Sequence, residues 1–350
     1  MAGTIMARTT EAPPFWWEKA DWRAWCLWPF STLYGTAAGY RMASARRMPV
    51  NAPVLCVGNF TVGGEGKTPV SIALAAEAKA AGRNPGFLSR GHGGTLSRPH
   101  VVEPKADAAR HVGDEPLLLA RHAPTVVTPD RLAGAQRLLE EGCDFIIMDD
   151  GFQSARIHMD YALMVVDARR GLGNGHVIPG GPLRARLIDQ LRRADAVVTM
   201  GEGDAAEYVV RQTSRAGKPV FDARLKPYGV RSIKGARFLA FAGIGNPAKF
   251  YDSLREAGGE VVLEKSFPDH HPYLEEELQE LVATADAEGL NLITTEKDLV
   301  RLAHGGEALE AFAARCRVLK VQAVFSAPDM APTIINNTVE AWRERSLKSA

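Results

Sequence analysis

The sequence predicts an α/β fold, a mainly parallel sheet flanked by helices, and three observations carry that expectation. Short apolar runs of strand type recur, among them Val54-Leu55-Cys56-Val57, Phe145 to Met148 and Tyr161 to Asp167. Helix-prone stretches alternate with them: Val70 to Ala81 is alanine-rich, and Asp130-Arg131 opens a further stretch through Glu141. The first of these strand and helix pairs is joined by a glycine-rich turn, Thr61-Val62-Gly63-Gly64-Glu65-Gly66-Lys67-Thr68-Pro69.

That turn has the chemistry of a phosphate cradle. Its glycines let backbone N–H groups converge on phosphate oxygens, and the helix N-terminus adds partial positive charge. Lys67 would reach the β/γ-phosphates and the Thr68 hydroxyl would bind Mg²⁺. The general pattern wants glycine where this chain has Thr61, whereas Gly63, Gly64, Gly66, Lys67 and Thr68 all fit.

Phe145 to Gly151 supplies the complement. The apolar strand ends in Asp149-Asp150, and a nucleotide site of this type needs an acid at the carboxyl end of a neighbouring parallel strand. A buried strand ending in two aspartates without a metal or basic partner would carry an electrostatic penalty. Loop and strand together define a P-loop NTPase-like core.

Length and composition narrow the rest. A chain of 350 residues exceeds the size at which one core usually suffices. Three regions are expected: an N-terminal aromatic helical arm over 1–50, the nucleotide-binding core over 51–220, and a smaller C-terminal αβ region over 221–350 that completes the cleft. A formal net charge of +1 with 24% charged residues gives no bulk electrostatic case for nucleic acid. Cys26, Cys56, Cys143 and Cys316 are scattered without zinc spacing, which fits a reducing compartment, as does the lack of a signal peptide's apolar stretch near residue 1.

Residues 1 to 12 carry no periodicity and are expected to be frayed. Beyond them, Trp16, Trp17, Trp22, Trp25 and Trp28 are five of the six tryptophans, joined by Phe15, Phe30 and Tyr34. Trp22, Trp25 and Trp28 recur every three residues, which places them on one side of a helix. Ala24 to Tyr40 is uncharged, but Pro29, Gly35 and Gly39 interrupt it and it falls short of the roughly 20 apolar residues of a spanning helix. The arm is either a core-packing helical hairpin or an interfacial anchor, with Arg41, Arg46 and Arg47 facing anionic lipid.

Asn84 to Leu88 reads as a strand leading into Ser89-Arg90-Gly91-His92-Gly93-Gly94, suited to an anionic ligand or to an ordinary turn. Asp114 and Glu115 open a leucine-rich helix, where acids commonly act as caps. The Arg169 to His176 and Pro179 to Arg184 stretches, rich in glycine, proline and arginine, suggest a loop lining a phosphorylated-substrate site. In the C-terminal region Asn246-Pro247 is a helix start with a capping side chain, and Pro268-Asp269-His270-His271 follows a strand. A metal role for the two histidines would want a third ligand that this segment does not show.

With these pieces laid out, the chain resembles the tetraacyldisaccharide 4'-kinase (lipid A 4'-kinase) family, from the aromatic arm almost to the end. The resemblance rests on Val57-Gly58-Asn59 with Thr61 to Pro69, Leu88 to Gly91, Gly113 to Pro116, Asp149 to Gln153, Gly173-Asn174-Gly175, Gly181 to Arg184, Phe267 to His270 and Thr294 to Asp298. It implies Mg-assisted transfer of the ATP γ-phosphoryl group to the 4'-hydroxyl of a tetraacyldisaccharide 1-phosphate, giving the lipid A precursor lipid IVA. The setting implied is the cytoplasmic face of a Gram-negative inner membrane, with a peripheral or monotopic enzyme and no obligate protein partner evident. Lys67 and the amides of Thr61 to Thr68 would stabilise the transferring phosphate, and Thr68 with Asp149 or Asp150 would hold Mg²⁺. Asp114 paired with His270 best matches the group that activates the acceptor hydroxyl, with His271 as the alternative histidine. Ser89, Arg90, Gly91, Gln153, Asn174 and Arg184 are the expected substrate contacts. One departure stands out: the family follows Gly-Pro-Leu-Arg with an acid, and this chain has Ala185.

The rival reading is a P-loop ATPase or GTPase switch that regulates a membrane partner. It shares the loop and Asp149-Asp150, but gives no reason for Asp114, His270 or the arginine-rich loops. A kinase for another sugar or cofactor is a further alternative.

Overall fold

The structure, a computed structural model, describes residues 12–91, 94–153, 156–303 and 305–349. The fraying expected of the N-terminus therefore lies, but for residue 12, outside the described residues, as do His92 and Gly93. The chain divides into two compact units, Pro14–Lys226 with Val321–Ala350, and Pro227–Lys320.

The first unit runs α1 (Trp22–Ser44), β1 (Val54–Asn59), α2 (Lys67–Ala80), β2 (Pro85–Ser89), β3 (His100–Val101), α3 (Ala109–Val112), α4 (Asp114–Leu119), β4 (Thr125–Val127), α5 (Arg131–Glu140), β5 (Phe145–Asp149), β6 (Tyr161–Asp167), α6 (Leu187–Leu191), β7 (Ala196–Met200), α7 (Glu207–Arg215) and β8 (Val220–Tyr228). The strand order is β8-β7-β6-β1-β5-β2-β4-β3, and neighbouring strands pair in parallel except β3, which is antiparallel to β4 at the edge. Alternate residues of β1 point to opposite faces: Val54 and Cys56 enter one buried cluster, Leu55 and Val57 another. Because helices cover both faces, the strand reads as an unbroken apolar run. From β1 the chain moves to one side of the sheet and from β5 it crosses to the other, so a switch point lies at the carboxyl end of β1, where such folds bind ligands.

The aromatic arm is not the hairpin considered above. Asp21 caps α1 by accepting the N–H groups of Arg23 and Ala24, and the helix then runs through Pro29 without ending. Gly35 and Gly39 do not interrupt it; they lie on its packed face with Ala24, Ser31, Ala38 and Met42. A Cβ on Gly35 would stand 3.3 Å from Arg186 and one on Gly39 2.5 Å from the Asp189 carboxylate, so glycine permits this close approach. The aromatic residues take the opposite side, with Trp22, Trp25 and Trp28 73%, 60% and 53% exposed.

The second unit contains β9 (Arg237–Ala242), α8 (Pro247–Glu256), β10 (Glu260–Ser266), α9 (Glu275–Glu288), β11 (Asn291–Thr295), α10 (Glu296–Leu302), α11 (Glu307–Arg315) and β12 (Arg317–Phe325), in the parallel order β10-β9-β11-β12. Phe241, Tyr273, Leu278, Leu281, Leu302 and Phe312 fill its core. Pro247 takes the first turn of α8 as expected, but the Asn246 side chain makes no capping hydrogen bond. β8 and β12 each cross the boundary between the units.

The expected 221–350 region differs from this division at both ends. β8 continues the first unit to Lys226, and residues 321–350 return to it. The reason lies in α12 (Met330–Ser349), whose Ile334, Ile335 and Val339 are buried with Leu74 and Ala75 of α2. Arg345 completes the attachment: Nε donates to the fully buried Asp160 carboxylate at 2.7 Å, and Nη2 to the Val50 carbonyl at 3.0 Å.

Candidate active site

The site grows from the end of β1. Gly63 and Gly66 have φ of 129° and 96°, a region that strains any residue with a Cβ, and α2 starts at Lys67 with no side-chain cap on its first amides. Those free first-turn amides and the helix dipole are the chemistry that receives an anion. Thr61 is fully buried and its hydroxyl donates to the Glu65 carboxylate across the loop. That bond accounts for threonine at the position where the general pattern has glycine.

A second strand of chain clamps the loop. Val62 N–H donates to the Pro182 carbonyl at 2.9 Å, Arg184 N–H donates to the Phe60 carbonyl at 3.0 Å, and Thr61 bridges Leu183 in antiparallel fashion. Arg184 then turns its guanidinium inward, Nε to the Thr61 carbonyl at 2.9 Å and Nη1 to Asp150 at 3.1 Å. Ala185 is fully buried, where a carboxylate would lose its hydration, so the departure from the family pattern suits its surroundings.

The two aspartates differ in environment. Asp149 is buried; Ser71 Oγ donates to it at 3.0 Å and Thr68 Oγ1 stands 3.5 Å away. Burial pushes its carboxyl up to about 6, against the attraction of Lys67. Asp150 has a left-handed backbone with φ of 57°. Burial pushes it up, but Lys67 at 3.8 Å, Arg184, the Gly151 N–H and Arg131 together hold its carboxyl well below the usual carboxylate range. Arg131 secures this turn, Nη2 donating to the Asp150 carbonyl at 3.1 Å, while its buried Nη1 has no hydrogen-bond partner among the described residues.

The remaining expected residues divide. Ser89 ends β2 in register with Asp149 and is buried; Arg90 beside it is exposed and close enough to Arg131 for their charges to interact; Gly91 takes a φ of 69°. Asp114 is buried at the start of α4, and the neighbouring Glu115 charge acts on Asp149. Gln153 and Asn174, expected on substrate, hydrogen-bond within the chain. Gln153 Nε2 donates to the Asn59 carbonyl at 2.8 Å and to Gln190 at 2.9 Å. Asn174 Nδ2 donates to the carbonyls of Gly180 at 2.8 Å and Phe15 at 3.3 Å.

His270 belongs to the second unit. It has a φ of 59°, its N–H donates to Asp269 at 3.0 Å, and Nε2 lies 3.8 Å from the same carboxylate. His271 is committed elsewhere, Nε2 to Glu277 at 2.7 Å with its ring stacked on Phe267. Sequence reasoning missed Ser71 and Arg131. Ser71 lies three residues past Thr68, hence on the same helix face; Arg131 had no signal beyond its place after the Asp130 cap.

A glycine-rich loop at the switch point, an uncapped helix N-terminus bearing Lys67 and Thr68, and a carboxylate on the next parallel strand define a P-loop nucleotide-binding α/β protein. The family model of tetraacyldisaccharide-1-P 4'-kinase matches residues 23–340. This chain belongs to the tetraacyldisaccharide 4'-kinase family. It is 61% identical over 339 residues to the tetraacyldisaccharide 4'-kinase of Chelativorans sp. (strain BNC1), covering 97% of this chain and 99% of that protein. Over 336 residues it is 55% identical to the enzyme of the same name from Brucella anthropi, covering 96% and 98%. Among solved structures, LpxK from Aquifex aeolicus in complex with ATP superposes with a TM-score of 0.69 at 25% identity, over 90% of this chain and 99% of that one.

Proposed function

We propose that this chain transfers the γ-phosphoryl group of ATP to the 4'-hydroxyl of a tetraacyldisaccharide 1-phosphate, at the cytoplasmic face of the inner membrane. The observation that carries the reading is the convergence of Lys67, Thr68 and Arg184 on the two aspartates that end β5. The loop amides from Thr61 to Thr68 cradle the phosphates. Lys67, now 3.8 Å from Asp150, exchanges that partner for phosphate oxygens and offsets charge on the transferring group.

Thr68 and Asp149 would hold Mg²⁺. Their hydroxyl and carboxylate oxygens suit a hard cation, and a buried carboxyl pushed up to about 6 gains from one. When bound, the ion neutralises negative charge on the phosphates. Asp150 has the different task of orienting Lys67 and Arg184. Asp114, buried at the head of α4, accepts the proton of the acceptor hydroxyl late in transfer; His270 has the assisting role that the family resemblance implies. Ser89, Arg90 and Gly91 bind the anionic acceptor, and Gln153 and Asn174 serve it indirectly by bracing the loops.

No helix among the described residues is long and apolar enough to cross a membrane. The exposed Trp22, Trp25, Trp28, Phe30 and Leu33 side of α1 suits an interfacial helix that meets an acylated substrate at its bilayer. The test is to incubate the full chain with Mg²⁺, ATP labelled at the γ-phosphate and the lipid disaccharide, and to separate the products. Labelled lipid is expected; free phosphate without labelled lipid would overturn this reading in favour of a nucleotide switch.

A further inference from the structure

The second unit contains a buried ionic network that none of the roles above uses, joining two sequence motifs about 30 residues apart, Pro268-Asp269-His270 and Thr295-Glu296-Lys297-Asp298. Asp298 is fully buried at the start of α10. It accepts hydrogen bonds from the Thr295 hydroxyl at 2.6 Å, the Tyr273 hydroxyl at 2.9 Å, Arg301 Nη1 at 2.8 Å and the Gly243 N–H at 3.1 Å. Arg301, itself 9% exposed, also donates Nη1 to the Gly243 carbonyl at 2.5 Å, and its Nη2 lies 4.0 Å from Asp269. Asp269 in turn receives the His270 N–H at 3.0 Å, and the His270 N–H also lies 3.3 Å from the Gly243 carbonyl.

Each link converges on one strained residue. A histidine at φ of 59° persists only where its surroundings over-determine it. Here the Asp269 carboxylate and the Gly243 carbonyl do so, and the buried Asp298–Arg301 pair anchors both. The adjacent His271 is held separately, by Glu277. Burying an ion pair is a weak way to stabilise a core, so retention of this one calls for another reason.

We propose that Asp298, Arg301 and Asp269 form a positioning relay for His270, fixing its left-handed backbone and the carboxylate beside its imidazole. The proposal rests on the reading of His270 as an assistant in acceptor activation. It makes Asp269 and Arg301 positioning residues that act on turnover and not on nucleotide binding.

The test uses the full chain labelled with [13Cε1]-histidine, the His270 signal being assigned by its loss in His270→Gln. Asp269→Asn is expected to shift the His270 resonance, to leave that of His271 in place, and to lower kcat at least tenfold with KM for ATP within twofold. Arg301→Lys, which keeps the charge, is expected to recover most of the rate lost in Arg301→Ala. In a His270→Gln background, Asp269→Asn is expected to cost less than a further twofold. An unmoved His270 resonance, or a loss that multiplies with that of His270→Gln, overturns the relay. Wild-type kcat in His270→Gln overturns the catalytic reading of His270 instead, and the resonance still decides the relay.

Discussion

Arg184 and Asp150 meet at 3.1 Å, and through them the loop after β1 is tied to the end of β5, since Arg184 also donates to the Thr61 carbonyl. Arg184→Ala should therefore loosen the phosphate loop more than the fold. Both side chains are partly exposed, so the screened loss of stability is roughly 1 kcal/mol. The expected result is a several-fold rise in KM for ATP with a small drop in Tm; an unchanged KM would remove Arg184 from loop positioning.

Asp149→Asn separates stability from activity. Burial pushes the folded carboxyl up to about 6 from its ordinary 3.8, so folding favours its protonated form. That contribution is fully present below the unfolded value and is lost as pH rises through 6, leaving a penalty of up to about 3 kcal/mol at pH 8. Asparagine removes the penalty. The variant should be inactive, yet melt higher than the wild type at pH 8 in the absence of nucleotide and metal, with the gain roughly halved at pH 5. Thermal melts at the two pH values check this, and a gain that grows toward acid would contradict it.

Trp22, Trp25 and Trp28 are more than half exposed, so replacing all three by serine should leave Tm nearly unchanged. If α1 lies in a membrane interface, co-sedimentation with anionic vesicles should fall at least tenfold. Undiminished sedimentation would dissociate the aromatic side from the membrane.

Arg345→Ala should be the most disruptive substitution far from the loop. It removes a buried partner of Asp160, whose side chain is fully buried, and leaves that charge with the Val54 N–H at 2.9 Å and His158 at 3.8 Å. Breaking such a pair costs about 3–5 kcal/mol, measured by denaturant unfolding. A loss under 1 kcal/mol would mean that α12 is held by its apolar face alone.

The sequence by itself determined the loop, its strand and helix, the acidic end of β5 and the family, because these depend on local chemistry: glycine conformations, apolar runs and residue order. Even the departures were visible, although Thr61 and Ala185 became intelligible only with the Glu65 hydrogen bond and the burial around Ala185 in view. Tertiary structure decided what depends on contacts distant in sequence. It turned the glycines of α1 into a packing face and the tryptophans outward. It drew α12 back to the first unit through Arg345 and Asp160, which are 185 residues apart. It also divided two adjacent aspartates, burying Asp149 beside Ser71 while surrounding Asp150 with Lys67, Arg184 and Arg131. Neighbours in sequence share composition, but the charge state each adopts follows from burial and from cations that the fold brings to it.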